Sequence, residues 1–181
     1  MRIGVDLDGV VSDFVSTFIG VVNEKYSVKL KQNQIYVHDL FLVLGVTKNE
    51  ALSLIYETLS RDINVIEGAR EALVKLKEKH EIVIITARPE GTYKTTQEWL
   101  EQNKIPYDTL LYIKEGEKNQ TEIELDVFVD DHLGEIIEFY GKARKLIIFD
   151  HPWNKSLNVL RLFERARNWK EVLHTIESTS G

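Results

Sequence analysis

From Glu67 to Asp150 the chain alternates short, β-rich apolar runs with amphipathic helical stretches, and this rhythm constrains the fold more than any other feature. The apolar runs are EIVIIT (81–86), TLLYI (109–113), DVFVDD (126–131) and KLIIFD (145–150), and RIGVDL (2–7) stands ahead of them. Each is too short for a helix and too continuously apolar for a strand with one wet face, so each reads as a strand covered on both sides. Between them lie helical patterns over 68–79, 93–102 and 135–140, the first with Ala69, Ala72, Leu73 and Leu76 as its apolar face and the last closed by Gly141. A capping box at Asn119 and Glu122 predicts a further short helix to Leu125, and another at Asn168 and Glu171 opens a last helix through Ile176. Residues 160–166 read equally as strand or helix. Strand–helix alternation of this kind builds a mainly parallel sheet with helices on both faces, a doubly wound, Rossmann-like α/β fold.

Residues 14–66 do not fit the alternation. Phe14, Phe18, Val21 or Val22, and Tyr26 recur at helical spacing, 27–36 is polar loop, and Thr47 with Glu50 forms a capping box before Leu52, Ile55 and Leu59. This stretch is expected to be a small helical cap inserted after strand 1. The expected division is a core of 1–13 plus 67–181 and a cap of 14–66, which suits a chain of 181 residues.

Ligands in open α/β sheets bind beyond the carboxyl ends of the strands. Polar residues stand at three such ends: Asp6 and Asp8 after strand 1, Thr86 after strand 2, and Asp130 with Asp131 after strand 4. Asp6 and Asp8 are two apart, so an extended backbone aims both to one side, and Gly9 lets the chain turn and bring backbone N–H groups to an anion. Like charges this close call for a cation or for one protonated acid. A hard cation with carboxylate ligands from Asp6, Asp8 and Asp130 fits Mg²⁺, and an ionised and a protonated acid side by side make a nucleophile and a general acid. Taken singly, an Asp-x-Asp-Gly turn, a DD pair or a strand-end threonine is usually only a turn, a solvated loop or a cap. Their convergence on neighbouring strands carries the functional reading.

The motifs DLDGV, IITARPE and DVFVDD, in that order and with a lysine before strand 4, resemble the haloacid dehalogenase-like (HAD) hydrolase superfamily. The segments ITARPEGTYKTTQEWLEQNKIPYDTL and LIIFDHPWNKSLN resemble its 5′(3′)-deoxyribonucleotidase-like branch, with the bacterial nucleotidases of that group. The resemblance implies a Mg²⁺-dependent phosphomonoester hydrolase that passes through an aspartyl-phosphate, acting on a (deoxy)nucleoside monophosphate. Asp6 would be the nucleophile and Asp8 the acid and base. The metal would sit on Asp6, Asp130 and the Asp8 carbonyl, with Asp131 behind them. Thr86 and a lysine would hold the phosphoryl oxygens, Lys118 being the expected lysine and Lys114 the runner-up. Arg88 would grip phosphate or else form a structural salt bridge. Phe18, with Phe14 beside it, would either face the substrate or belong to the core.

Alternatives remain at this level: a phosphatase of another metabolite such as a sugar phosphate, or a non-catalytic phosphate- or metal-binding signalling module. Receivers of that kind place their phosphoacceptor on a middle strand and carry no inserted cap. A dehalogenase would not need Asp8 to protonate an alkoxide. With 43% hydrophobic and 29% charged residues, no cysteine and a net charge of −6, the composition is that of a soluble, cytoplasmic protein. There is no basic stripe for a nucleic-acid polymer and no apolar run long enough for a membrane span, and the early acids do not look like a signal peptide. The expected partner is a small phosphorylated metabolite, and a homodimer is compatible with the composition.

Overall fold

The computed structural model describes residues 1–35, 44–114, 117, 122–155 and 162–179. The apolar runs become β1 (Arg2–Asp6), β2 (Glu81–Thr86), β3 (Thr109–Tyr112), β4 (Leu125–Asp130) and β5 (Ala143–Phe149), and the ambiguous stretch supplies a short β6 (Glu164–Ala166). The helices are α1 (Phe14–Tyr26), α2 (Lys48–Leu59), α3 (Ala69–Lys77), α4 (Tyr93–Gln102), α5 (Leu133–Glu138) and α6 (Trp169–Thr179). All six strands run parallel in the order β3-β2-β1-β4-β5-β6. The expected α/β doubly wound sheet is therefore the observed one.

Strand alternation sorts the core into two layers. Ile3, Val5, Ile82, Ile84, Val127, Val129 and Ile147 pack with α1, α3, α4 and α6. Val83, Ile85, Phe128 and Leu146 face the other way, onto Ile136 and Phe139 at α5, and Leu125 at the start of β4 joins that cluster. The rings of Phe128 and Phe139 meet at 4.2 Å. Trp99 and Trp169 are packing residues, as their helical setting implied, and each buried indole N–H donates to a backbone carbonyl, Ile63 at 2.8 Å and Val10 at 2.7 Å.

The helical stretch after β1 is stitched at its base. Asp13 N–H donates to the Asn64 carbonyl at 2.9 Å and Ile66 N–H to the Val11 carbonyl at 2.8 Å, with Ser12 bridged antiparallel to Val65. The chain thus leaves and returns through one short two-stranded neck. The Thr47–Glu50 capping box forms as expected. α1 and α2 pack on each other, and Phe14, Phe18, Leu54 and Leu59 join the same apolar cluster as the sheet.

Two readings of the sequence need correction. Residues 122–124 are not helical and Leu125 already belongs to β4, because Leu125 N–H pairs with the Lys142 carbonyl at 3.0 Å; the rest of that expected helix lies outside the described residues. On α2 the buried face is Ala51, Leu54, Thr58 and Leu59, whereas Leu52 is exposed. Leu52 lies about 160° of helix turn from Leu54 across the 51–54–58 row, so it points away from the buried face.

Candidate active site

β1 is central, with β2 on one side and β4 on the other, so the point where strand order reverses lies beside Asp6. Val5 stands opposite Val129 and Asp6 opposite Ile85. One residue further along, Asp130 and Thr86 therefore flank Asp6 at the carboxyl edge. Asp6, Thr86, Asp130 and Asp131 are all buried.

Carboxylate oxygens of Asp6, Asp130 and Glu135 lie within 4.8 Å of one another. Glu135 was not anticipated as a site residue. It sits in the first turn of α5, five residues after Asp130, and is buried. An acid in the first turn of a helix ordinarily complements the helix dipole, and that reading hid its second setting beside two other acids. Three buried carboxylates at this separation repel unless a cation or proton lies among them. An all-oxygen donor set suits a hard cation such as Mg²⁺. The carboxylate of Asp8 lines the same cavity but is not part of this group.

Asp8 is held by a fork. Arg88 Nε donates to Asp8 Oδ2 at 2.8 Å and Nη2 to Oδ1 at 2.6 Å, while Ser12 Oγ donates to Oδ1 at 2.5 Å. Burial works against the Arg88 charge, but the Asp8 carboxylate outweighs it and raises the guanidinium pKa above its ordinary value. Arg88 also donates through Nη1 to Thr96 Oγ1 at 3.1 Å. Of the two roles open to Arg88 from sequence, the salt bridge is the one present. The Thr86 hydroxyl accepts the Arg88 backbone N–H at 3.2 Å.

Gly9 has φ +91°, and a Cβ there would lie 2.3 Å from Asp131 Oδ2. Its N–H donates to the Ser12 carbonyl at 2.9 Å, so the turn uses it internally. The β5–β6 connection closes this side. Trp153 Nε1 donates to Asp131 Oδ2 at 3.0 Å, Asn154 Nδ2 donates to the Asp131 carbonyl at 2.8 Å, and His151 Nε2 lies 2.6 Å from the Gly9 carbonyl. His151 stacks on Trp153 with ring centres 4.2 Å apart, and burial lowers its pKa.

These groups open into one cavity of about 310 Å³, the size of a small-molecule site. Its lining combines the polar Asp6, Asp8, Thr86, Arg88, Asp130 and Glu135 with the apolar Phe14, Val15, Ile35, Leu52, Ile55 and Trp153. Phe18 does not line it. Phe18 is wholly buried one turn behind Phe14, their rings stacked at 5.9 Å, so the expectation that Phe18 meets substrate passes to Phe14. Lys114 is exposed and away from the cavity lining, and Lys118 lies outside the described residues.

Residues 1–179 match the model of a family described as 5′ nucleotidase, deoxy (pyrimidine), cytosolic type C protein. A 5′(3′)-deoxyribonucleotidase of Bacillus subtilis is 29% identical over 174 residues, spanning 94% of this chain and 95% of that one. Among solved structures, a haloacid dehalogenase-like hydrolase of Streptococcus pneumoniae superposes with a TM-score of 0.71 at 13% identity, over 97% of both chains. A HAD hydrolase of Bacillus subtilis bound to magnesium gives 0.64 at 14% identity, again over 97% of both. Among the described residues no helix is long and apolar enough to cross a membrane.

Proposed function

The chain belongs to the 5′ nucleotidase, deoxy (pyrimidine), cytosolic type C family and is an enzyme of the phosphatase type, and from that premise we propose that it hydrolyses (deoxy)nucleoside monophosphates in a Mg²⁺-dependent reaction through an aspartyl-phosphate on Asp6. One observation carries the substrate class: a single cavity joins a cluster of buried acids to a wall of Phe14, Val15, Leu52, Ile55 and Trp153. A sugar phosphate would present hydroxyls to that apolar wall and leave them without hydrogen-bond partners, at a cost of roughly 1–3 kcal/mol each. A nucleobase presents a flat π-face, which an apolar and aromatic wall accepts.

Asp6 attacks phosphorus, one carboxylate oxygen forming the new P–O bond as the bond to the nucleoside oxygen breaks. Asp8 gives its proton to the departing oxygen, then takes one from the water that attacks phosphorus and frees Asp6. Thr86 has its acceptor side committed to the Arg88 N–H, so its hydroxyl proton is available to a phosphoryl oxygen. Asp6, Asp130 and Glu135 would hold Mg²⁺, which when bound supplies charge neutralisation for an anionic nucleophile approaching an anionic ester. Asp131, fixed by Trp153 and pressed against Gly9, braces the acidic loop. The described residues of 14–66 would act as a cap over this site, a reading that the backbone pairing of 11–13 with 64–66 supports.

The test is phosphate release from a panel of nucleoside 5′- and 3′-monophosphates and sugar phosphates, with and without Mg²⁺, beside Asp6→Asn. Magnesium-dependent release from nucleotides, absent in the variant, is the expected result. Preference for sugar phosphates would discard the substrate class.

A further inference from the structure

We propose that Arg88 is a positioning residue that acts through Asp8, presenting Oδ2 of that carboxylate as the proton-transfer atom, and does not itself grip the phosphoryl group. The inference rests on the phosphatase reading above and deepens it. Three observations lead there. Four of the five guanidinium N–H groups are committed: Nε and Nη2 to Asp8, Nη2 also to Ser12 Oγ at 3.3 Å, and Nη1 to Thr96. The Arg88 side chain is 4% exposed against 24% for Asp8, so the scaffold holds the arginine and the arginine holds the acid at the cavity. The guanidinium also lies over the Trp99 ring at 5.9 Å, giving it a second support on α4.

The bonding assigns the atom. An ionised carboxylate has about four lone-pair sites, two on each oxygen. On Oδ1 both are taken, by Arg88 Nη2 and by Ser12 Oγ. On Oδ2 Arg88 Nε takes one. The remaining site on Oδ2 is where the proton rides before it passes to the leaving oxygen as the P–O bond breaks. A planar fork of this kind fixes the plane of the carboxylate, and a lysine, as a point charge, does not reproduce it.

The test compares a nucleoside 5′-monophosphate with its analogue carrying sulfur at the bridging 5′ position. The two have nearly the same shape, but a thiolate leaves without being protonated, so only the oxygen ester needs Asp8 as an acid. The parameter is kcat/KM, which stops at the first irreversible step and so does not include release of Asp6. General acid catalysis supplies ~10²–10⁴-fold, and loss of orientation in Arg88→Gln is expected to remove about 10–100-fold of it for the oxygen ester. The sulfur ester should change less than about threefold. Arg88→Lys should not rescue the loss, and adding Arg88→Gln to Asp8→Asn should cost nothing further, since both act on one event. An equal loss on both esters, a rise in KM shared by both, or rescue by lysine would overturn the proposal in favour of a phosphate grip or a bare charge. If Arg88→Gln does not fold, judged by circular dichroism, Thr96→Val loosens the fork from Nη1 and carries the same comparison: a selective loss on the oxygen ester supports the proposal and no selective loss overturns it. Asp6→Asn must abolish turnover of both esters. If it does not, the phosphatase reading itself has failed, whatever Arg88 does.

Discussion

Replacing Gly9 by alanine tests how tightly the nucleophile loop and the acidic loop are fitted together. Two costs add at this position. A side chain at φ +91° pays for the left-handed backbone, about 1–2 kcal/mol. The new Cβ also meets Asp131 Oδ2 at 2.3 Å and its Cγ at 2.8 Å, well inside any real contact. Asp131 cannot yield cheaply, being 2% exposed, hydrogen-bonded to Trp153 and anchored through its carbonyl by Asn154. Overpacking of this kind costs about 1–3 kcal/mol, so Gly9→Ala should destabilise by roughly 2–5 kcal/mol in total. In a chain of this size 1 kcal/mol moves the melting temperature by about 2–4 °C, so the expected drop is on the order of 4–20 °C. Gly141→Ala is the control. Its φ is +84°, but nothing lies within 4 Å of the added methyl. It shares the backbone cost and the unfolded-state entropy change, and lacks the clash. The assay is thermal and urea unfolding of both variants beside the parent. Equal destabilisation of the two would refute the claim that Gly9 is required by its fit against Asp131.

Three further outcomes follow from the site. Glu135→Gln should raise the Mg²⁺ concentration for half-maximal activity about 10-fold or more, read from a metal titration, whereas a helix-dipole role alone would change only stability. His151→Gln should flatten the pH dependence of stability on the acid side: burial lowers the folded pKa of His151 below its unfolded value of 6.5, so the unfolded chain binds more protons there and stability falls as pH drops below about 6.5. Melting curves of parent and variant between pH 5 and 8 check this, and parallel curves would contradict it. Phe18→Ala should lower stability by about 3–5 kcal/mol as a core cavity, while Phe14→Leu should change KM between nucleotides more than it changes the melting temperature.

The fold was legible because parallel strands covered on both faces carry unbroken apolar runs, and β1, β2, β4 and β5 do, as IGV, IVII, VFV and LIIF. The convergence of Asp6, Thr86 and Asp130 was legible because strand ends in such a sheet share one edge. Leu52 and Phe18 show where that reasoning stops. Both are apolar at helical spacing, yet Leu52 faces the cavity and Phe18 the core. Periodicity marks a face of a helix, and does not separate a core from an apolar cavity wall. Trp153 and Glu135 escaped notice for a related reason. An aromatic in a loop and an acid at a helix start have ordinary local roles, and only the packing of the 151–154 turn against Asp131 and of α5 against β4 gives them a place at the site. Arg88 could be named from its closeness to Thr86, but its partner Asp8 lies 80 positions away and no spacing rule joins them.

The most direct measurement on the central claim is mass spectrometry of the enzyme acid-quenched during turnover of a nucleoside monophosphate with Mg²⁺ present. One phosphoryl group on the peptide that holds Asp6, lost once the substrate is exhausted and absent in Asp6→Asn, is the predicted result. Turnover with no modified peptide at any quench time, or a phosphoryl group on another residue, would contradict it.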